Sequence, residues 1–445
     1  MSLAELTVEK TLKTGVTEAE AYVSRSQTTQ VEFDDRIIGY KIADSTGIGI
    51  RVALGKRLAT VSTTILQPGE IDFAVERAVK IAKVSTEDPD WRHMNKRFER
   101  ATARGYYDKT VETLEQSDII ETIQDSIKHM KEVDKRVIPS ISLLTIVINE
   151  TEIANCYGFS GNDKETTVSL SYRAKAEDSG EQSSGFEQQT SRRWKDVDFN
   201  NLAAAAATQA VRFLKTTPAR NSKIPVIIKN DAFASMLEVM LSGPTSAEWV
   251  QNGRSPIANK LNSKIASDNF TLFDDGLMPE GCATRSFDDE GHPTGTTAVI
   301  EKGVLRSFLY DNYTSLKADV KSTGNAQRSS YGAPPSPGPS NFILKPGTSK
   351  PEDIIKDTKE GLYVEVTIGE WLSNQVSGNL TATVTHGTLI KNGEPKTNIR
   401  GAVISGNFYE ILRNGVETIG NDTRNMGPYY SPTIKLYGLT IAGKD

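Results

Sequence analysis

Four histidines, His93, His129, His292 and His386, are all the imidazole that this 445-residue chain carries, and no two lie close together. A zinc hydrolase usually recruits two histidines from one helix, three to five positions apart, so that both rings face the metal. No such pair exists here. Asp288, Asp289, Glu290 and His292 do cluster, but their Asp- and Gly-rich setting reads as a hairpin turn, where adjacent side chains diverge. His386 ends the alternating run Thr381-Ala-Thr-Val-Thr-His386 and reads as a solvent-facing strand residue. Cys156 and Cys282 form no CxxC pair, which fits free thiols in a reducing cytoplasm. The chain has neither a Gly-x-Ser-x-Gly elbow nor a GxxxxGK[ST] phosphate loop. From the residues alone, no catalytic constellation is visible.

Composition narrows the classes. Hydrophobic residues make up 37% and charged residues 24%, the balance of a soluble globular protein. The net charge of −5 argues against a dedicated nucleic-acid binder, which would show a basic footprint. The local cluster Arg192, Arg193 and Lys195 around Trp194 reads as a solvated strand end. Apolar runs such as residues 203–207 and 141–148 fall well short of the ~20 residues that span a membrane. The opening Met-Ser-Leu-Ala-Glu-Leu lacks a basic stretch leading into an apolar one, so no secretory signal is expected.

The elements that must position any site are legible as changes of period. Residues 2–13 read as a short helix, 18–33 and 37–52 as half-buried strands. Within the second strand, Gly47-Ile-Gly-Ile-Arg51 alternates glycine with β-branched residues. It lacks the spacing and the following helix of a phosphate loop, so it reads as strand. Amphipathic helices are predicted over 69–84 and about 115–133, the latter carrying His129 as an ordinary helix residue. More alternation runs from 137 to 194, broken by a predicted turn at Ser160-Gly-Asn-Asp163. An alanine-rich helix over 200–214 follows, then a linker at 216–221.

Beyond the linker, residues 224–228 read as a buried strand and 231–241 as a helix with Asp231 as its N-cap. The remainder is mostly β, with hairpins expected at residues 288–291 and at Lys391-Asn-Gly-Glu394. Residues 322–340, dense in Ser, Gly, Pro and Asn, read as a long irregular loop, the kind that walls a site or meets a partner. The expected fold is therefore α+β in two domains. Residues 1–217 form an N-terminal domain with a mixed or antiparallel sheet and amphipathic helices, and 223–445 form a mostly antiparallel β-rich domain.

The order of short motifs in the second half is specific. Phe287-Asp-Asp-Glu-Gly291 leads to Ile300-Glu-Lys-Gly-Val-Leu-Arg-Ser-Phe-Leu-Tyr310, and Lys321-Ser-Thr-Gly-Asn325 to Ser340-Asn-Phe-Ile-Leu-Lys-Pro-Gly347. Gly361-Leu-Tyr-Val364, Ser377-Gly-Asn379 and Gly387-Thr-Leu-Ile-Lys-Asn-Gly393 follow. Ile404-Ser-Gly-Asn407, Ile419-Gly-Asn-Asp422 and Gly438-Leu-Thr-Ile-Ala-Gly443 close the series. Together with Asp34-Asp-Arg36, Gly47 to Arg51 and Ile81-Ala-Lys83, they resemble the TldD/PmbA family of zinc metallopeptidases, also called TldE and "modulator of DNA gyrase" proteins.

That resemblance implies a site. TldD-type members carry H-E-x-x-x-H on a helix near the start of the C-terminal domain, with a further cysteine ligand in the tail. The histidines would bind zinc, and the glutamate would take the proton of its bound water. The matching helix here spans residues 233–243, and Leu237-Glu238-Val239-Met240-Leu241-Ser242 falls over the motif. Glu238 is retained, but Leu237 and Ser242 stand where imidazoles belong. The tail reads Asn425-Met-Gly-Pro-Tyr-Tyr430, without cysteine. The resemblance is thus closer to the PmbA/TldE type, which lacks the metal site. It implies no catalytic residue and no cofactor in this chain, with zinc in a TldD-like catalytic paralogue that pairs with it in the cytoplasm to process peptides or unfolded segments. Self-pairing is the other assembly such a surface allows. Two further readings remain open: a peptidase with a relocated metal site at His292 or His386, and a regulator of DNA gyrase.

Overall fold

The computed structural model describes residues 1–443. The period-two stretches of the first half become six strands: β1 (Glu18–Phe33), β2 (Ile37–Leu54), β3 (Arg57–Thr63), β4 (Val137–Asn155), β5 (Ser160–Asp178) and β6 (Glu181–Ser191). They form one sheet in the order β3-β2-β1-β4-β5-β6, antiparallel at every pairing. Alternation assigns each strand two faces. Ile48, Ile50 and Val52 of β2 pack with Val23 under α1 (Leu3–Leu12) and α2 (Pro68–Val84), which buries Ile71, Val75, Ala78 and Val79. Farther along the same face, Leu144, Val168, Leu170 and Tyr172 are covered by α3 (Gln116–Glu132) and α4 (Phe199–Arg212). The alanines of α4 serve close approach. A Cβ on Gly185 of β6 would stand 1.9 Å from the Ala206 carbonyl oxygen, so helix and strand backbones almost touch.

The predicted turn at Ser160–Asp163 is corrected. These residues already belong to β5, with Gly161 paired to Ile153 and Asp163 to Thr151. The chain reverses just before them, at residues 156–159. There the Asn155 side chain accepts from the Tyr157 and Phe159 amides, and Gly158 takes φ +95°. Asn155 thus builds the turn from its own side chain, which the polar run after it had masked.

In the second half, α5 (Asn230–Thr245) is the central helix. Lys229 rather than Asp231 holds its cap position, and no side chain caps it. One sheet runs through Val416–Ile419, Ile434–Leu436, Val226–Ile228, Glu360–Ile368, Asn379–Lys391 and Glu394–Arg400, ending at Thr217–Pro218. That last pair, within the predicted linker, adds in parallel to Ile399 and Arg400. The Lys391–Glu394 hairpin forms as expected, with Asn392 at φ +53° and Gly393 at φ +78°. A further sheet places Tyr429–Ser431 and Arg424–Met426 at its end, against α5. Most pairings in this half are antiparallel, so the chain is α+β. Among the described residues no helix is long and apolar enough to cross a membrane.

The other face of the first sheet carries Glu20, Tyr22, Gly47, Gly49 and Arg51, and the second half docks there. The irregular loop over 322–340 crosses β2. A Cβ on Gly49 would sit 1.7 Å from the Tyr331 carbonyl oxygen, and one on Gly47 would meet the Tyr331 ring at 2.4 Å. The glycine alternation is therefore a landing strip for this loop. The turn at residues 288–291 forms, closed by a single antiparallel bridge between Phe287 and Pro293 and not by paired strands. Asp288, Asp289, Glu290 and His292 are all buried in this junction. Arg51, 6% exposed, bridges Glu20 at 3.0 Å and Glu290 at 2.9 Å. Arg328 also pairs with Glu20, and Arg285 with Asp289 at 2.7 Å. Asp288 accepts the backbone amides of Glu290, His292 and Ala326. Arg192 likewise is no solvated strand end: it is buried, donating to the carbonyls of Gly281 and Thr166.

Candidate functional site

Helix α5 carries Leu237, Glu238 and Ser242, the three positions that the resemblance sets against H-E-x-x-x-H, and its two faces separate them. Leu237 is fully buried with Phe233, Met236, Met240 and Leu241 in the large core of the second half. Ser242 points the other way. Its hydroxyl donates to the Glu238 carbonyl at 2.7 Å and meets the Tyr429 hydroxyl at 2.9 Å. Since the Ser242 proton is used on the carbonyl, the Tyr429 phenol donates to Ser242. Burial pushes that phenol up to about 12, so it stays protonated for the bond. The fold does bring the tail onto the motif helix, but as a tyrosine–serine hydrogen bond.

Glu238 lies on the exposed side of α5. Its carboxyl is raised above the usual range, first by partial desolvation and then by the Glu370 charge. Glu370 stands on the turn Glu370–Leu372 and accepts from the Ser235 hydroxyl at 2.8 Å. The donor set at the motif is therefore one carboxylate, one hydroxyl already used twice and a core leucine, which does not fit zinc. Among the described residues no group of three or more His, Cys, Asp or Glu side chains stands together so as to hold a metal ion.

The two histidines considered for a relocated site are both committed. His386 is buried, not solvent-facing, because the β6 edge and Phe213 cover its strand. Its Nε2 lies 2.6 Å from the Ser184 carbonyl and its Nδ1 3.0 Å from the Thr385 hydroxyl. A carbonyl can only accept, so Nε2 carries the proton. Burial lowers its pKa below the usual imidazole value. It lines a cleft of 690 Å³ with Ser183, Phe213, Thr383 and Arg400, the meeting of β6 with the second half's large sheet. His292 is held by the Pro293 carbonyl at 2.9 Å, and desolvation lowers its pKa to about 4. Among the described residues neither ring has a carboxylate hydrogen bond to orient it as a metal ligand or base.

Sequence reasoning missed Cys282. Its amide donates to the Tyr430 hydroxyl at 2.9 Å, and its sulfur lies 3.2 Å from Asn425 Nδ2. The thiol thus abuts the very tail that lacks a cysteine, though burial raises its pKa and makes it a poor thiolate. No local spacing could have shown this, because the contact joins strands far apart in the chain.

With this geometry in place, comparison with known proteins is informative. Three consecutive family models match: PmbA/TldA metallopeptidase domain 1 over residues 19–82, its central domain over 109–214 and its C-terminal domain over 221–443. The chain belongs to the PmbA/TldD metallopeptidase family. It is 24% identical to the metalloprotease PmbA of Escherichia coli O157:H7, over 99% of this chain and 92% of that one. It is 23% identical to a metalloprotease TldD homolog of Haemophilus influenzae, over 96% and 93% respectively. In fold it matches the crystal structure of TldE from Thermococcus kodakarensis with a TM-score of 0.92, covering 99% of this chain and all of that one at 24% identity. Identity to the PmbA and TldD relatives is almost equal, so the residues of α5 must decide between the types.

Proposed function

We propose that this chain is a non-catalytic, PmbA/TldE-like subunit that pairs with a TldD-like paralogue, the paralogue supplying zinc and catalysis in processing peptides or unfolded segments. One observation carries this reading: the two positions matched to metal-binding histidines are committed elsewhere, Leu237 to the core and Ser242 to Tyr429. Neither can turn toward a metal without leaving a cavity or breaking a hydrogen bond. In such an assembly the two halves of the chain, 1–217 and 223–445, act as a wall of a substrate chamber, and zinc chemistry is absent from its own residues. The test is co-expression with an H-E-x-x-x-H-bearing paralogue from the same genome. Co-elution, with peptidase activity that needs both chains, is expected. Failure to associate in mild salt removes the subunit role while leaving the family membership intact.

A further inference from the structure

Strand β6 is the free edge of the first sheet, and the second half caps that edge carbonyl by carbonyl. Arg400 donates to Gln182, His386 to Ser184, Arg424 to Gln188 and Asn425 to Thr190. In an antiparallel strand the N–H and C=O of one residue point to the same side. The Gln182 and Ser184 amides therefore point outward too, and among the described residues no acceptor meets either. The Phe186 amide, next in the series, is taken by the Gln209 side chain at 2.9 Å. The two unmet amides fall where the capping opens into the 690 Å³ cleft, whose wall includes Gln182 and Ser184.

The side chains around those amides are donors as well. Lys175 lies directly across the strand pair from Ser184, is exposed, and forms no ion pair among the described residues. Arg400 spends only Nη1, on the Gln182 carbonyl at 3.1 Å. The one acid on the wall, Glu177, accepts from Gln182 Nε2 at 2.8 Å. Two cations against one acid leave the cleft positive, while Glu177 repels a dianion more than a monoanion. Away from the charges, the wall is Pro218, the methyls of Thr217 and Thr383 and the aliphatic stems of Lys175 and Arg400. A carboxylate takes charge-assisted bonds from ammonium, guanidinium and amide alike, and a cleft of this size holds a drug-sized body. We propose that the cleft binds a small organic monoanion, its carboxylate held by Lys175, Arg400 and the Ser184 amide and its apolar body lying on Pro218 and the threonine methyls. Lys175 and Ser184 belong to the first half and Thr383 and Arg400 to the second, so the bound molecule ties the halves together. No residue of α5 lines the site.

The experiment uses the purified full chain, with 2-naphthaleneacetate as the probe and 2-naphthaleneethanol as its uncharged counterpart, both titrated by isothermal calorimetry. One saturable site is expected for the acid, with the alcohol about tenfold weaker or more. Lys175→Gln and Arg400→Gln each weaken the acid about fivefold, whereas Glu177→Gln, which removes the opposing charge, tightens it. Lys41→Gln, on an exposed stretch of β2, leaves binding unchanged. Circular dichroism on every variant separates lost binding from lost fold. No saturable binding up to millimolar probe, equal affinity for the alcohol, affinity indifferent to both cation variants, or weaker binding in Glu177→Gln overturns the proposal. Every reading is made on this chain alone, so such a failure leaves the pairing with a paralogue untouched.

Discussion

Leu237 is a core residue of the second half. Its side chain is fully buried among apolar neighbours on α5 and the strands beneath, so a histidine there would bury an imidazole with no partner. Leu237→His is expected to cost about 2–5 kcal/mol, the loss of apolar contact plus an unsatisfied polar group. Adding Ser242→His would also break the bond to Tyr429. The doubly substituted chain is expected to unfold at lower urea and to bind no stoichiometric zinc by elemental analysis. Restored zinc binding with unchanged stability would mean that the metal geometry persists beneath the substitutions. The helix was legible in the sequence, and Leu237 and Ser242 were singled out on it through a resemblance alone. Their commitment was not, because a hydrogen bond from Tyr429 to Ser242 joins segments with no local signal in common. For the same reason His386 reads as exposed in its strand pattern, whereas the covering edge of β6 comes from the other half of the chain.

At the scale of elements, periodicity carried most of the information. The strands β1 and β2 and the helices α2 and α3 lie within a few residues of their predicted bounds, since alternation and helical spacing are local properties. What it could not supply is why β2 spaces glycines on one face. Gly49 is not needed for backbone freedom; it clears space for the Tyr331 carbonyl. Gly49→Ala should therefore displace the 322–340 loop and cost about 1–3 kcal/mol, as overpacking does. Gly39→Ala is the matched control. On the same strand, a Cβ there meets only Glu32 Cβ, at 3.9 Å, and the change should be neutral or slightly stabilising. Hydrogen exchange reads the difference directly: loop amides lose protection in Gly49→Ala and keep it in Gly39→Ala. Equal protection in both would show that the loop is not seated by this contact.

For the whole molecule, the junction of the two halves is ionic where most cores are apolar. Arg51 reaches from the first sheet to Glu290 of the second half while holding Glu20, which Arg328 clasps from the long loop. Such a network adds little net stability over a well-packed apolar one, yet it is costly to break at one member, because the partners remain buried and charged. It also fixes register: an apolar face could slide, whereas a charge bridged from two sides cannot. Arg51→Met leaves Glu20 and Glu290 facing each other and should cost about 3–5 kcal/mol. Because the arginine couples two separate cores, the loss should appear as a split. The intact chain is expected to unfold in urea in one transition by both fluorescence and circular dichroism, and the variant in two, with the halves no longer coupled. Adding Glu290→Gln to Arg51→Met should recover part of the loss, since one uncompensated charge is removed. A single transition in Arg51→Met with a loss below about 1 kcal/mol would assign the coupling of the halves to the apolar contacts around Phe159 and Phe287 instead of the charges.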